Sequence, residues 1–219
     1  MTTTSLTRKR GTLARLAEQF EDLDQQEHAD RLGIWVFLGS ETLLFAGLFA
    51  LYWSYRRMYG GAFTMAVHQN HVLLGTVNTL VLLTSSLTVA LSIRAVQVHR
   101  PRAAVWSLAA SILLGLAFLV IKAFEYGMHF REGITPGAGY HNDAMPGAGP
   151  QLFFRLYYLM TGLHALHVTA GLVVLGWLLV RCRAGAYSAE RHVTLEMGGL
   201  YWHTIDIIWN GRCAKQARE

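Results

Sequence analysis

The chain has 219 residues, 53% hydrophobic and 15% charged, with a formal net charge of +5. A soluble domain carries about 25% charged residues. Here the charges are also clustered, which excludes an ordinary soluble enzyme and favours one membrane domain. The basic excess calls for no nucleic acid, because Lys and Arg beside apolar spans set orientation and meet anionic head groups.

Two cysteines, Cys182 and Cys213, lie far apart without metal-ligand spacing and imply no disulfide framework. The stretch MTTTSLTRKRGTLARLAEQF has basic residues but no uninterrupted apolar core behind them. It does not read as a cleavable signal peptide, and the first span is expected to serve as the insertion signal.

Residues 1–31 are polar. Leu13, Leu16, Ala17, Phe20 and Leu23 follow helical spacing. They read either as a short amphipathic helix on the membrane or a partner, or as a solvated tail. The first span, 32–53, holds 22 residues, about 33 Å of helix at 1.5 Å per residue. A hydrocarbon core is roughly 30 Å thick. Glu41 lies at its middle, with Ile34, Phe37, Leu44 and Leu48 on its face. An ionised carboxyl at that depth costs roughly 3 kcal/mol, so a neutral, protonated acid is expected. Glu41 either loads a proton or hydrogen-bonds a neighbouring helix.

The second span, 72–93, carries Gly75, Asn78, Thr79, Ser85, Ser86 and Thr88. Small and hydroxyl residues at helical spacing make a close-packing, hydrogen-bonding face. The third, 104–126, turns polar at Lys122 and Glu125. A loop rich in Gly and Pro, 127–152, follows outside the lipid.

The fourth span, 153–180, carries His164 and His167 on one face. They would make a metal or haem site only with a third ligand such as His203. Neutral histidines bonded between helices are the simpler reading. The fifth span, 193–209, is the shortest. Its Glu196, Gly199, His203 and Asp206 form a polar stripe that must face protein, head groups or water. A His–Asp pair at i, i+3 either shuttles a proton or fixes the helix orientation. Residues 210–219 read as a polar tail.

The expected fold is therefore an all-α membrane bundle of five transmembrane helices behind an N-terminal segment. Eleven of the 19 Lys and Arg fall in the N-terminal tail and the 94–103 and 181–192 loops. The positive-inside rule puts that side, and the N-terminus, in the cytoplasm, with the C-terminus outside. Phosphate-loop, dinucleotide, G-x-S-x-G and H-E-x-x-H signatures are absent.

Five segments resemble subunit III of the haem-copper cytochrome c oxidases. FLGSETLLFAGLF is similar to the glutamate-bearing helix, with Glu41 in the glutamate position. LGTVNTLVLLTSSLTVALSIRA resembles the next helix. LLGLAFLVIKAFEY ends in the family's Glu–Tyr, here Glu125 and Tyr126. TGLHALHVTAG carries His164 and His167, and YWHTIDIIW carries Trp202, His203, Asp206 and Trp209. All five stand in family order.

The resemblance departs in two places. The full-length form has seven spans and this chain matches the last five, so the family's lipid-filled cleft must be open or completed by a partner. The family's last helix also continues apolar, whereas here GRCAKQARE follows Asn210.

The resemblance implies a non-catalytic subunit of a terminal oxidase in the bacterial inner membrane. The complex as a whole would be the enzyme, oxidising cytochrome c, reducing oxygen and pumping protons. Haem and copper would lie in subunits I and II, with subunit I the main contact and phospholipid an expected ligand. It assigns packing, lipid or partner contacts to Asn78, Glu125, His164, His167, Glu196, His203 and Asp206. The alternatives are subunit III of a quinol oxidase, a nitric oxide reductase accessory protein, and an independent proton channel or transporter. The last is disfavoured by the lack of an inverted repeat.

Overall fold

A computed structural model of the chain describes residues 23–68, 72–135, 147–187 and 192–216. Among these there are six α-helices and no strand: α1 (Leu23–Met58), α2 (Gly60–His68), α3 (Val72–Gln97), α4 (Pro101–Arg131), α5 (Ala148–Arg183) and α6 (Val193–Gln216). The chain divides into two compact units, residues 1–41 and 42–219. In the first, helix begins at Leu23, and the expected amphipathic positions Leu13 to Phe20 lie outside the described residues.

Among the described residues four helices are long and apolar enough to cross a membrane: His28–Met58, Leu74–Gln97, Pro101–Arg131 and Ala148–Arg183. The expected fifth span, 193–209, is not among them. Glu196, His203 and Asp206, with Gly198 and Gly199, dilute the apolar character of α6. Helix also continues beyond Trp209 to Gln216, where a polar tail was expected. Helix α2 was not anticipated, being nine residues that open on two glycines.

Four helices of the larger unit form a closed bundle, with α3 against α4, α4 against α5, α5 against α6, and α6 back against α3. The burial pattern explains why. On α4 the buried residues are Ala104, Leu108, Ser111, Gly115, Phe118, Lys122, Glu125 and His129, in alternating steps of four and three. Tyr157, Thr161, His164, Val168, Gly171, Leu175, Leu178 and Cys182 repeat the pattern on α5. A 3.5-residue repeat keeps one seam facing its neighbours along the whole helix. Apolar side chains outside the seams, such as Trp106, Leu113, Phe124, Leu166 and Val173, are exposed. That inverts the usual polarity of a soluble surface and suits lipid or a partner.

Helix ends are cut sharply. Residue 185 lies in the left-handed region with φ 70°. Gly185 N donates to Cys182 O and Ala186 N to Arg181 O, the two-bond pattern of a Schellman cap. The α3–α4 turn uses the same cap with a side chain at the strained position. His99 has φ 57°, its N–H bonds Val96 O, and Arg100 N–H bonds Ala95 O. Pro101 then opens α4, where its missing N–H costs nothing.

The centre of the bundle is Trp202 of α6, 1% exposed. Its ring fits only because two facing positions lack side chains. A Cβ at Gly115 would come within 2.9 Å of Trp202 Cη2, and one at Gly171 within 2.8 Å of Cε3. Thus α4 and α5 close on the indole from two sides.

Candidate functional site

The buried polar groups fall at two levels. The first is the end of α4, where the buried seam turns from apolar to ionic. Lys122 Nζ meets Glu125 Oε2 at 2.6 Å, and both side chains are nearly closed to solvent. Tyr157 of α5 donates its hydroxyl to the other carboxylate oxygen, Oε1. Lys122 Nζ also lies 3.4 Å from Tyr157 Oη and 4.7 Å from the ring centroid of Trp209 on α6.

Three helices thus converge on one charge pair. Its carboxylate takes both a cation and a hydroxyl, so its lone pairs are well used. The pair sits 20 residues along α4 from Arg102, roughly 30 Å at helical rise. It therefore belongs at the opposite end of the bundle from Arg94, Arg100 and Arg102.

Aromatic rings surround this end. Tyr126 hydrogen-bonds Thr161, and Tyr158 donates to Ile134 O at 2.8 Å. His129 stands edge-on to Tyr157 and Phe154. Phe63 of α2 packs edge-on against Phe153 of α5.

The second level lies deeper, between α3, α4 and α6. Trp202 Nε1 donates to Ser85 Oγ at 3.1 Å, and Ser85 Oγ donates to Ser111 O at 3.2 Å. Thr88 and Ser111 share a hydroxyl contact of 2.7 Å. Ser86 bonds His203 Nδ1, and Trp209 Nε1 donates to Thr79 Oγ1 at 3.3 Å.

The expected stripe on α6 faces α3 along its length. Glu196 lies 3.0 Å from His192 Nε2 and accepts from Gln97 at 3.5 Å. Gly199 lies against Val89 and Ile93, and His203 meets Ser86. Asp206 is 2% exposed, and neither of its carboxyl oxygens has a hydrogen-bond partner. Asn78 is fully buried on α3 with neither amide atom hydrogen-bonded.

The histidines do not gather. His164 is buried against the rings of Phe118 and Trp209. His167 turns Nδ1 toward Leu163 O at 2.8 Å. No three His, Cys, Asp or Glu side chains converge on a point among the described residues. Glu41 closes the smaller unit on α1, beside Ser40, whose hydroxyl donates to Phe37 O at 2.7 Å.

Sequence reasoning singled out Glu125, His203 and Asp206. It passed over Tyr157 and Ser86 as partners, and Lys122 as a site residue. The readable signal for the ion pair was Lys122 and Glu125 at i, i+3. Their tie to Tyr157 needs the α4–α5 register, which no local pattern shows.

Bonds of this kind can tie helices together and hold protons. With four helices long and apolar enough to cross a membrane among the described residues, they belong to a multi-pass membrane protein in which part of the buried polar set joins helix to helix and part, including Asn78 and Asp206, makes no side-chain hydrogen bond. Comparison with known sequences agrees. The profile of the family "Cytochrome c oxidase subunit III" matches residues 24–211. Cytochrome c oxidase subunit 3 of Thermostichus vulcanus is 34% identical, over 84% of this chain and 85% of the relative. Its namesake in Alkalihalophilus pseudofirmus is also 34% identical, over 81% of each. A probable quinol oxidase subunit 3 of Staphylococcus epidermidis is 27% identical, over 85% and 89%. The chain belongs to the cytochrome c oxidase subunit III family.

Proposed function

We propose that the chain is the non-catalytic subunit III of a haem-copper terminal oxidase, packed against subunit I and touching subunit II and further subunits. The observation that carries this reading is the family match over nearly the whole described chain. The more similar relatives bear the name of a cytochrome c oxidase, and cytochrome c is the electron donor this favours. Haem and copper stay with the partner subunits.

Helix α6 is the fifth crossing. It runs antiparallel to α3 with paired side chains from Gln97–Glu196 to Thr79–Trp209. The 13 helical steps from Glu196 to Trp209 cover about 20 Å of bilayer depth. Its polar stripe is turned inward on α3, which removes the penalty of facing lipid. Five crossings and the basic loops support a cytoplasmic N-terminus and an outer C-terminus, and the oxidase family supports the inner membrane of a bacterium.

Lys122, Glu125 and Tyr157 then lie near the outer rim, while Asn78, His203 and Asp206 lie within the bilayer. The exposed apolar faces take subunit I and phospholipid. Glu41, half-buried on α1, supports proton uptake by the complex without being required for turnover.

The test is purification through a tag on this chain in mild detergent. Co-elution of a large subunit with a haem-copper spectrum is expected. Recovery of the chain alone, with the oxidase intact elsewhere in the membrane, would overturn the reading.

A further inference from the structure

We propose that Tyr157 is a redox-active side chain, giving an electron to a lipid-borne oxidant of the peroxyl-radical class and its phenolic proton to Glu125. A phenol is a poor one-electron donor while it keeps its proton, because the radical cation that results is strongly acidic. A base already hydrogen-bonded to the hydroxyl removes that obstacle. Tyr157 has one. Its hydroxyl donates to Glu125 Oε1, and Lys122, 2.6 Å from the other oxygen, supplies the counter-charge of the carboxylate.

The neighbouring tyrosines are bonded differently. Tyr126 meets the Thr161 hydroxyl, and Tyr158 donates to Ile134 O. A hydroxyl and an amide carbonyl take no proton at neutral pH. These two rings can therefore pass an electron, but the oxidation settles on the ring that has a carboxylate.

The ring positions suit such a path. Tyr157 is 4% exposed, and its ring centroid lies 5.5 Å from that of Tyr158 and 6.3 Å from that of Tyr126. Tyr126 and Tyr158 are themselves 5.1 Å apart. Tyr158 is half-buried and stacks on Phe130 at 5.9 Å. Phe130 is 51% exposed, and Phe124 on the same helix 70%. Both α4 and α5 are long and apolar enough to cross a membrane, so these exposed rings are set to meet acyl chains. A peroxyl radical formed on an acyl chain is a one-electron oxidant of that medium, and Tyr158 is its point of contact.

The step balances. One electron passes from Tyr157 through Tyr158 to the peroxyl radical. The Tyr157 O–H bond breaks as an O–H bond forms on Glu125 Oε1. The peroxyl oxygen takes the electron together with a proton from water and becomes a hydroperoxide. Tyr157 is oxidised to a neutral phenoxyl radical, the peroxyl radical is reduced, and Lys122 keeps its charge.

Electron paramagnetic resonance tests this on the full chain in lipid nanodiscs, exposed to a lipid-soluble azo initiator in the presence of oxygen and then frozen. A tyrosyl signal should appear, with a hyperfine coupling to an exchangeable proton that vanishes in deuterated water. Tyr157→Phe should abolish the signal, Tyr126→Phe should keep it, and Glu125→Gln, which bonds the phenol but takes no proton, should remove most of it. No tyrosyl signal, a signal that survives Tyr157→Phe, or an undiminished one in Glu125→Gln overturns the proposal. Where a variant does not fold, the wild type decides alone. A tyrosyl radical without the exchangeable-proton coupling overturns the proposal too, since the carbonyl bonded to Tyr158 has no proton to give.

Discussion

Lys122→Met isolates what the buried ion pair contributes. Methionine keeps much of the length and apolar stem of lysine but removes the cation 2.6 Å from Glu125. Glu125 is then left buried with only the Tyr157 hydroxyl as a named partner. Removing one member of a buried pair costs about 3–5 kcal/mol, because the other charge loses its compensation. The contact of Lys122 with the Trp209 ring adds about 0.5–2 kcal/mol.

The double variant Lys122→Met, Glu125→Leu separates the ion pair from packing more sharply. With both charges gone, no carboxylate is stranded, and stability should return to near that of the wild type or above. Tyr157→Phe should fall between, losing about 1.5–3 kcal/mol for a hydrogen bond to a charged group. Unfolding of the detergent-solubilised protein in increasing sodium dodecyl sulfate, followed by helix signal, measures all four. A double variant as unstable as Lys122→Met alone refutes the ion-pair argument and makes Lys122 a packing residue.

Further outcomes follow from other parts of the bundle. Gly171→Ala places a methyl 2.8 Å from the Trp202 ring and should cost about 1–3 kcal/mol by overpacking, read as a lower thermal midpoint. Trp202→Ala should cost about 3–5 kcal/mol in the same assay. His99→Gly relieves a side chain at φ 57° and should raise stability by about 1 kcal/mol; a fall would show that the His99 side chain contributes a contact worth more than the strain. Glu41→Gln keeps the shape and removes the titratable proton, so assembly and initial oxygen consumption should stay near wild type. Failed assembly would make Glu41 a structural tie.

How much of this was readable beforehand depends on the range of the signal. Helices α1, α3, α4 and α5 announced themselves as unbroken apolar runs, a local property that needs no partner. Helix α6 announced the reverse, a polar stripe, and its meaning depended on which neighbour it faced. The answer, α3, comes from long-range pairs such as Ser86–His203, 117 residues apart. Gly115 and Gly171 looked like ordinary membrane-helix glycines until Trp202 was seen between them. The 3.5-residue seams were present in the sequence, but membrane helices are apolar all round. The pattern that marks a seam in water is therefore drowned by lipid-facing residues such as Leu113 and Phe124. Glu125 was singled out and Tyr157 was not, because a tyrosine among aromatics carries no mark of a carboxylate partner.

The central claim is that this chain supports an oxidase without carrying its chemistry. Stripping the chain from the purified complex and recording haem and copper content, then oxygen consumption over many turnovers, tests that most directly. Both metals are expected to stay with the remaining subunits, and initial turnover to survive but decay sooner, with re-addition of the chain restoring endurance. Haem or copper leaving with this chain would contradict it.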